Sequence, residues 1–239
     1  MTYNKLGIIG AMASETATLS ELMQNKTQQE AAGLHFLTGT IEGHEVVLVR
    51  CGVGKVNAAR CTQVMIDKFA PDAIINTGIA GGLATELSVG DIVIGAHLLQ
   101  HDFDVSAFGH ARGYMCTGIE HEKPTLYDSD PELVQMLKSA AGNVCPERRL
   151  REDIIASGDV FVAAREVKQD IRDTFAAAAT EMEGAAIGQV AAANGVPFVV
   201  IRAISDLADG TAADSIDEFE QQTADISAAI IVKMLKNGL

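Results

Sequence analysis

Glu15, Glu181, Glu183 and Asp206 are the side chains of this sequence best placed to do chemistry. Each follows a short run that reads as a strand. GIIG precedes Ala11-Met12-Ala13-Ser14-Glu15, Ala178–Thr180 precedes Glu181-Met182-Glu183-Gly184, and PFVVIRAI precedes Ser205-Asp206. In an open α/β sheet, ligands bind outside the carboxyl ends of the strands. Three such ends would therefore bring carboxylates to one crevice, where one kept protonated and another ionised can serve as acid and base. Taken singly, each has a purely structural explanation. Ser14 can cap a helix with Glu15 in its first turn, Glu183 can open the following helix, and Asp206 can be a cap beside the turn-like Asp209-Gly210. Their convergence favours a site.

Other motifs are weaker. Gly7-Ile8-Ile9-Gly10-Ala11-Met12 does not fit the G-x-G-x-x-G dinucleotide fingerprint, and Cys51-Gly52-Val53-Gly54-Lys55 is no phosphate loop, because Val49 stands where the first glycine is needed. The latter reads as a tight strand-to-helix turn. Gly78-Ile79-Ala80-Gly81-Gly82 suggests backbone passing close to a ligand. His101-Asp102-Phe103-Asp104 lacks metal-ligand spacing, so no metal is expected there. Cys51, Cys61, Cys116 and Cys145 form no close C-x-x-C pair and read as reduced thiols packing as small hydrophobes.

The elements that would hold these residues alternate. Strands are predicted at Lys5–Gly10, Leu34–Ile41, Glu45–Cys51, Asp72–Thr77, Asp91–His97, Asp153–Ala156, Ala178–Met182 and Pro197–Ala203. Helices are predicted at Ser14–Gln24, Lys55–Phe69, Pro131–Ala141, Ala163–Phe175, Glu183–Ala193 and Asp217–Lys236. A hairpin turns at Glu42–Gly43, and the rest alternates as βαβ. The expected fold is α/β: one three-layer domain over residues 1–239, with a central mixed, mostly parallel sheet flanked by helices. The longest stretch without periodicity, His101 to Lys123, reads as a functional or partner-facing loop.

Composition narrows the partners. With 32 acidic against 18 basic side chains in 239 residues, the formal net charge is -14. That surface repels phosphate backbones and anionic lipid, so no nucleic-acid or membrane partner is expected. The opening MTYNKLGIIGAM has no apolar signal core and no run reaches transmembrane length, which places the expected compartment in the cytoplasm. A small neutral or zwitterionic ligand suits the charge better.

GIIGAM…E, CGVGKVNAA, NTGIAGGL, VGDIV, DVSAFG, SGDVF, EMEGAA and VPFVVIRAISD follow one another in an order and spacing that resembles the 5'-methylthioadenosine/S-adenosylhomocysteine nucleosidases of the purine nucleoside phosphorylase superfamily. EMEGAA together with RAISD is the specific part, and the resemblance runs nearly end to end. It implies hydrolysis of the N-glycosidic bond of a 5'-thio-substituted adenosine, without cofactor. It further implies that Glu15, with Arg202 nearby, holds and activates the attacking water. Met182 and Glu183 would bind the ribose hydroxyls, with Glu181 supporting them. Asp206, oriented by Ser205, would protonate adenine N7. Phe161 would stack on the base, the Val162 backbone would read its edge, and Met12 and Val53 would line the sugar and 5' region. Val105 and Phe108 would reach a neighbouring subunit's 5' pocket, which implies a homodimer.

Two positions depart from the family pattern: Ile79, where many members carry a small hydroxyl residue near the water, and Ile216, a 5'-pocket position that is often aromatic. The chemistry is consistent with the implied roles, since breaking an N-glycosidic bond builds positive charge on the sugar and negative charge on the base. Three rivals remain open at this stage. A phosphate-dependent nucleoside phosphorylase would need arginines and a hydroxyl to hold phosphate, but the glycine-rich end Asn76-Thr77-Gly78-Ile79 and the first loop Ala13-Ser14-Glu15 both lack the arginine, and Glu15 repels phosphate by roughly 1–4 kcal/mol at contact. A futalosine-type nucleosidase would share the framework. A non-catalytic nucleoside-binding module would not need all three carboxylates.

Overall fold

The computed structural model describes residues 3–116, 122–207 and 212–238, the side chains of 212–218 excepted. Along the chain run β1 (Lys5–Gly10), α1 (Ala13–Leu22), β2 (Gln24–Ala31), β3 (Leu34–Ile41), β4 (His44–Arg50), α2 (Lys55–Phe69), β5 (Ala73–Gly82) and β6 (Ile92–Gln100). After a short 3-10 turn at Ser106–Phe108 follow β7 (Tyr127–Asp128), α3 (Pro131–Val144), β8 (Leu150–Ser157), α4 (Arg165–Phe175), β9 (Ala179–Glu181), α5 (Gly184–Ala193), β10 (Phe198–Asp206) and α6 (Ala212–Asn237). Asp209-Gly210 and part of the long loop, residues 117–121, lie outside the described residues.

The strands are mixed in direction, with the longest pairings parallel: β10 lies along β5 and β6 along β8. The order is β10-β6-β8-β9-β5-β1-β4-β3-β2, and β10 also pairs with β5. That extra pairing corrects the picture of an open sheet. Strands β5, β10, β6, β8 and β9 close into a ring, and β1, β4, β3 and β2 extend from it as a twisted wing. Closure removes free edges from the strands that carry the candidate site.

β2 has no counterpart in the hydrophobic pattern. Its sequence, QNKTQQEA, is exposed almost throughout and pairs only as an edge strand on β3, so no alternation announces it. The predicted first helix accordingly overran its end, since Met23 is already extended. The β3–β4 hairpin turns where expected, with Glu42 and Gly43 both at positive φ, the conformation a two-residue primed turn requires.

Two apolar clusters pack the two sides of the sheet. One joins Ile8, Ile75 and Ile201 to Leu19 of α1, Leu137 of α3 and Ile231 of α6. The other joins Ile9, Ile74 and Val200 to Cys61 and Met65 of α2 and Ile187 of α5. These are the three layers expected. Cys51, Cys61 and Cys145 are buried free thiols, as read from the sequence, whereas Cys116 is exposed. Among the described residues, no helix is long and apolar enough to cross a membrane.

Candidate active site

β5 and β10 run to Gly82 and Asp206, further than their apolar runs predict, because a strand buried on both sides needs no change of residue type to continue. Their extended ends, with β9 and the starts of α1 and α5, form the walls of a cleft. Glu15, Glu183, Ser205 and Asp206 line it, and so does Glu181. Apolar cover comes from Met12, Val53, Ile79, Phe161, Val162 and Met182.

Glu15 is the third residue of α1 and only 5% exposed. Its Oε2 accepts hydrogen bonds from the backbone N–H of Ala11 (2.6 Å) and Met12 (2.9 Å), and its Oε1 accepts from Ile79 N–H (3.1 Å). The first-turn role considered from sequence is therefore real and coexists with a place in the cleft. The departure at Ile79 does not disturb this contact, which uses main chain. The carboxylate packs directly over Gly78, where any Cβ would collide with Oε1. Burial pushes the Glu15 carboxyl up, opposed by Arg202 and by the three amides.

Arg202 does not line the cleft but lies behind it, 1% exposed. Its Nη2 donates to Glu181 Oε2 (2.5 Å) and to Asn76 Oδ1 (2.5 Å), and Nη1 donates to the carbonyls of Ile201 and Asn76. Burial opposes the guanidinium charge, and Glu181, Glu15 and Glu183 outweigh it. Glu181 is equally committed. It also accepts from Ser157 Oγ and from the N–H groups of Glu183 and Gly184, which caps α5. Ser157 Oγ in turn accepts from Ala185 N–H.

With α5 capped by its neighbours, Glu183 is spared that task. It sits at the helix cap position without a capping bond, and its Oε1 accepts instead from Gly54 N–H (2.8 Å) at the start of α2. Gly54 is thus more than the tight turn read from sequence. Burial, then the adjacent Glu181 charge, pushes the Glu183 carboxyl up to about 8. A folded-state value above the ordinary 4.5 means that ionisation costs stability increasingly as pH rises from about 4.5 to about 8. Glu183→Gln, which can keep the bond from Gly54, is expected to be more stable than the native protein by a few kcal/mol at pH 9 and to match it at pH 4.5. A melting difference independent of pH would contradict this assignment.

Asp206 ends β10, 1% exposed, and its Oδ2 accepts from Ser205 Oγ (2.9 Å). Val105 and Phe108 do not reach the cleft. They belong to the 3-10 turn and its approach, with Phe108 82% exposed. Ile216 lies in α6, but its side chain is outside the described residues. His101, read as a loop residue, is buried at the end of β6. Among the described residues no cluster of His, Cys, Asp and Glu could hold a metal ion. Sequence reasoning missed Thr180 and Val160 in the lining and Ser157 and Asn76 behind it. SGDVF and NTGIAGGL contain the latter two, but nothing in their composition marks them as supports.

A family model described as the phosphorylase superfamily matches residues 5–236. The 5'-methylthioadenosine/S-adenosylhomocysteine nucleosidase of Shewanella halifaxensis is 41% identical over 233 residues, 97% of this chain and 99% of that protein. The crystal structure of the enzyme of that name from Neisseria meningitidis, bound to methylthio-immucillin-A, superposes with a TM-score of 0.91 at 40% identity, covering 98% and 99% of the two chains. A mutant futalosine hydrolase of Helicobacter pylori also gives 0.91, at 33% identity and with 98% and 99% covered. Matches of this extent place the chain in the phosphorylase superfamily, and within it the protein belongs to the 5'-methylthioadenosine/S-adenosylhomocysteine nucleosidase family.

Proposed function

We propose that this protein hydrolyses the N-glycosidic bond of 5'-methylthioadenosine and S-adenosylhomocysteine, and of 5'-deoxyadenosine, releasing adenine and a 5-substituted ribose. One observation carries the reading: Glu15, Glu183 and Asp206 converge on a cleft that, among the described residues, is lined by no Lys, Arg or His, with Arg202 buried behind it in ion pairs. An incoming phosphate would meet three carboxylates and no facing cation among the described residues. Water meets no such repulsion, and nucleoside and water alone balance the reaction.

The geometry suits each step. The purine lies between Phe161 and the β5 glycines, its edge read by the Val162 backbone. Met182 and Glu183 hold the ribose hydroxyls. As the bond to N9 stretches, Asp206, oriented by Ser205, delivers its proton to N7, so the base leaves neutral. Positive charge on the sugar is stabilised by Glu183 and Glu15. Glu15 fixes the water below the anomeric carbon and takes its proton as the new C–O bond forms. The upward push on its carboxyl makes it a stronger base once ionised. Arg202 and Glu181 position this shell without touching substrate.

Purified protein is expected to release adenine from 5'-methylthioadenosine equally fast with and without phosphate. A ribose 1-phosphate product that forms only with phosphate would overturn the assignment. Faster release from an aminofutalosine than from the methylthio compound would move it to the futalosine-type enzymes.

The active unit is a homodimer, a reading supported by the apolar Phe108 standing 82% exposed on a turn that leaves its own cleft untouched. Phe108→Ala is expected to raise KM severalfold through lost contacts to the 5' group, with the melting temperature little changed. A native enzyme that sediments as a fully active monomer at assay concentration would refute this.

A further inference from the structure

His101-Asp102-Phe103-Asp104 has no part in the mechanism above, yet Asp102 ties together two distant segments of the chain. It follows β6, and its Oδ1 accepts from Lys55 Nζ (2.5 Å) while its Oδ2 accepts from the backbone N–H of Asp159 (2.8 Å). Asp159 closes the circuit, because its own Oδ1 accepts from the backbone N–H of Lys55 (2.8 Å). The three residues, from the end of β6, the start of α2 and the turn after β8, thus form one ring of hydrogen bonds. Lys55 Nζ also donates to Gln100 Oε1, and Gln100 Nε2 donates to Gln189 Oε1 of α5, which braces the ring against the helix that Glu183 begins.

A partly exposed ion pair such as Lys55–Asp102 contributes little to stability by itself. What sets this ring apart is what adjoins its two sides. Gly54, one residue before Lys55, gives its N–H to Glu183 Oε1. Gly54 supplies no side-chain cap for α2, and the first N–H of that helix is satisfied instead by Asp159, 104 residues away in sequence. On the other side, Asp159 stands two residues before Phe161 and three before Val162. That segment, between β8 and α4, is held to the sheet through Gly158, whose N–H donates to the Glu181 carbonyl, and leaves regular structure beyond it. The two turns also touch, since a Cβ on Gly54 would stand 3.1 Å from Asp159 Oδ1.

We infer that Asp102 and Asp159 are positioning residues which, with Lys55, clasp the turn that holds Glu183 to the turn that presents Phe161 and Val162, and so fix the separation between the ribose and base ends of the cleft. The inference rests on the proposed nucleosidase function. A nucleoside is gripped at both ends, and the bond to be broken lies between them, so an error in their spacing falls directly on the reacting geometry. Free adenine meets one end alone and is indifferent to that spacing.

The test measures kcat/KM on 5'-methylthioadenosine, the Kd of adenine alone and the thermal melt for Asp159→Ala, Asp102→Ala, the double variant and Asp159→Asn. Each single alanine variant is expected to lose about tenfold in kcat/KM while binding adenine within about twofold of native. The double variant should fall no more than about twofold below the singles, because both substitutions cut the same ring. Asp159→Asn keeps an oxygen that accepts from Lys55 and should retain near-native rates. All four should melt within about 4 °C of native, as expected for surface bonds. A kcat/KM within about twofold of native in both alanine variants, an equal loss of adenine affinity, or losses that multiply in the double variant would overturn the clasp. A native protein that releases no adenine from the nucleoside would sink the nucleosidase reading and this inference with it, so the two failures are distinguishable.

Discussion

Asp206→Asn is expected to lower kcat by about 10²- to 10⁴-fold while nucleoside binding stays measurable. Asparagine is nearly isosteric, can still accept from Ser205 and can still hydrogen-bond N7, so the loss isolates proton delivery to the base. The position itself argues for this. Asp206 ends a strand buried along its whole length, 1% exposed, with its side chain in the cleft. Were it merely a cap or turn residue, the substitution would cost about 1 kcal/mol of stability and the folded fraction would turn over normally. Measuring kcat beside a thermal melt separates the two, and a near-native kcat would remove Asp206 from the mechanism.

The largest effect on stability is expected from Arg202→Met, a loss of about 3–5 kcal/mol. The guanidinium and the Glu181 carboxylate are both almost wholly buried and joined by a 2.5 Å contact, and Glu15 and Glu183 also lean on the same positive charge. Methionine fills the volume but leaves three acidic groups facing one another without a cation. For a chain of this size each kcal/mol moves the melting point by about 2–4 °C. Adding Glu181→Gln should recover part of the loss, because it removes the charge most deeply stranded while keeping an acceptor for the α5 amides. A single variant melting within a degree or two of native would show that the charges here do not need one another.

The carboxylate set was legible because hydrophobic strands ending in acidic residues are unusual enough to notice, and EMEGAA with RAISD fixed their identity. The division of labour among them was implied by the resemblance, with Glu181 supporting Glu183, and could not be read from residue chemistry or spacing. Glu181 and Glu183 stand two residues apart with the same chemistry, yet one is tied to Arg202, Ser157 and α5 while the other faces the cleft. What separates them is tertiary: Asn76, Ser157 and Gly54 arrive from distant parts of the chain, and no local pattern announces them. β2 stayed hidden for the opposite reason, since an exposed edge strand needs no apolar residues at all. Closure of the ring was equally unreadable, because β9 contributes only three residues to it.

Three main-chain amides, from Ala11, Met12 and Ile79, point at the Glu15 carboxylate, beside a glycine that makes room for it. Taken without its occupant, that arrangement is a receptor for a free oxyanion, assembled from a helix start and a strand end. Here the guest is tethered to its own host. Any dissolved anion competes with a ligand that never leaves and whose effective concentration is on the order of millimolar or above. A fold that could serve phosphate thus carries its own permanent inhibitor of phosphate binding, one glutamate long.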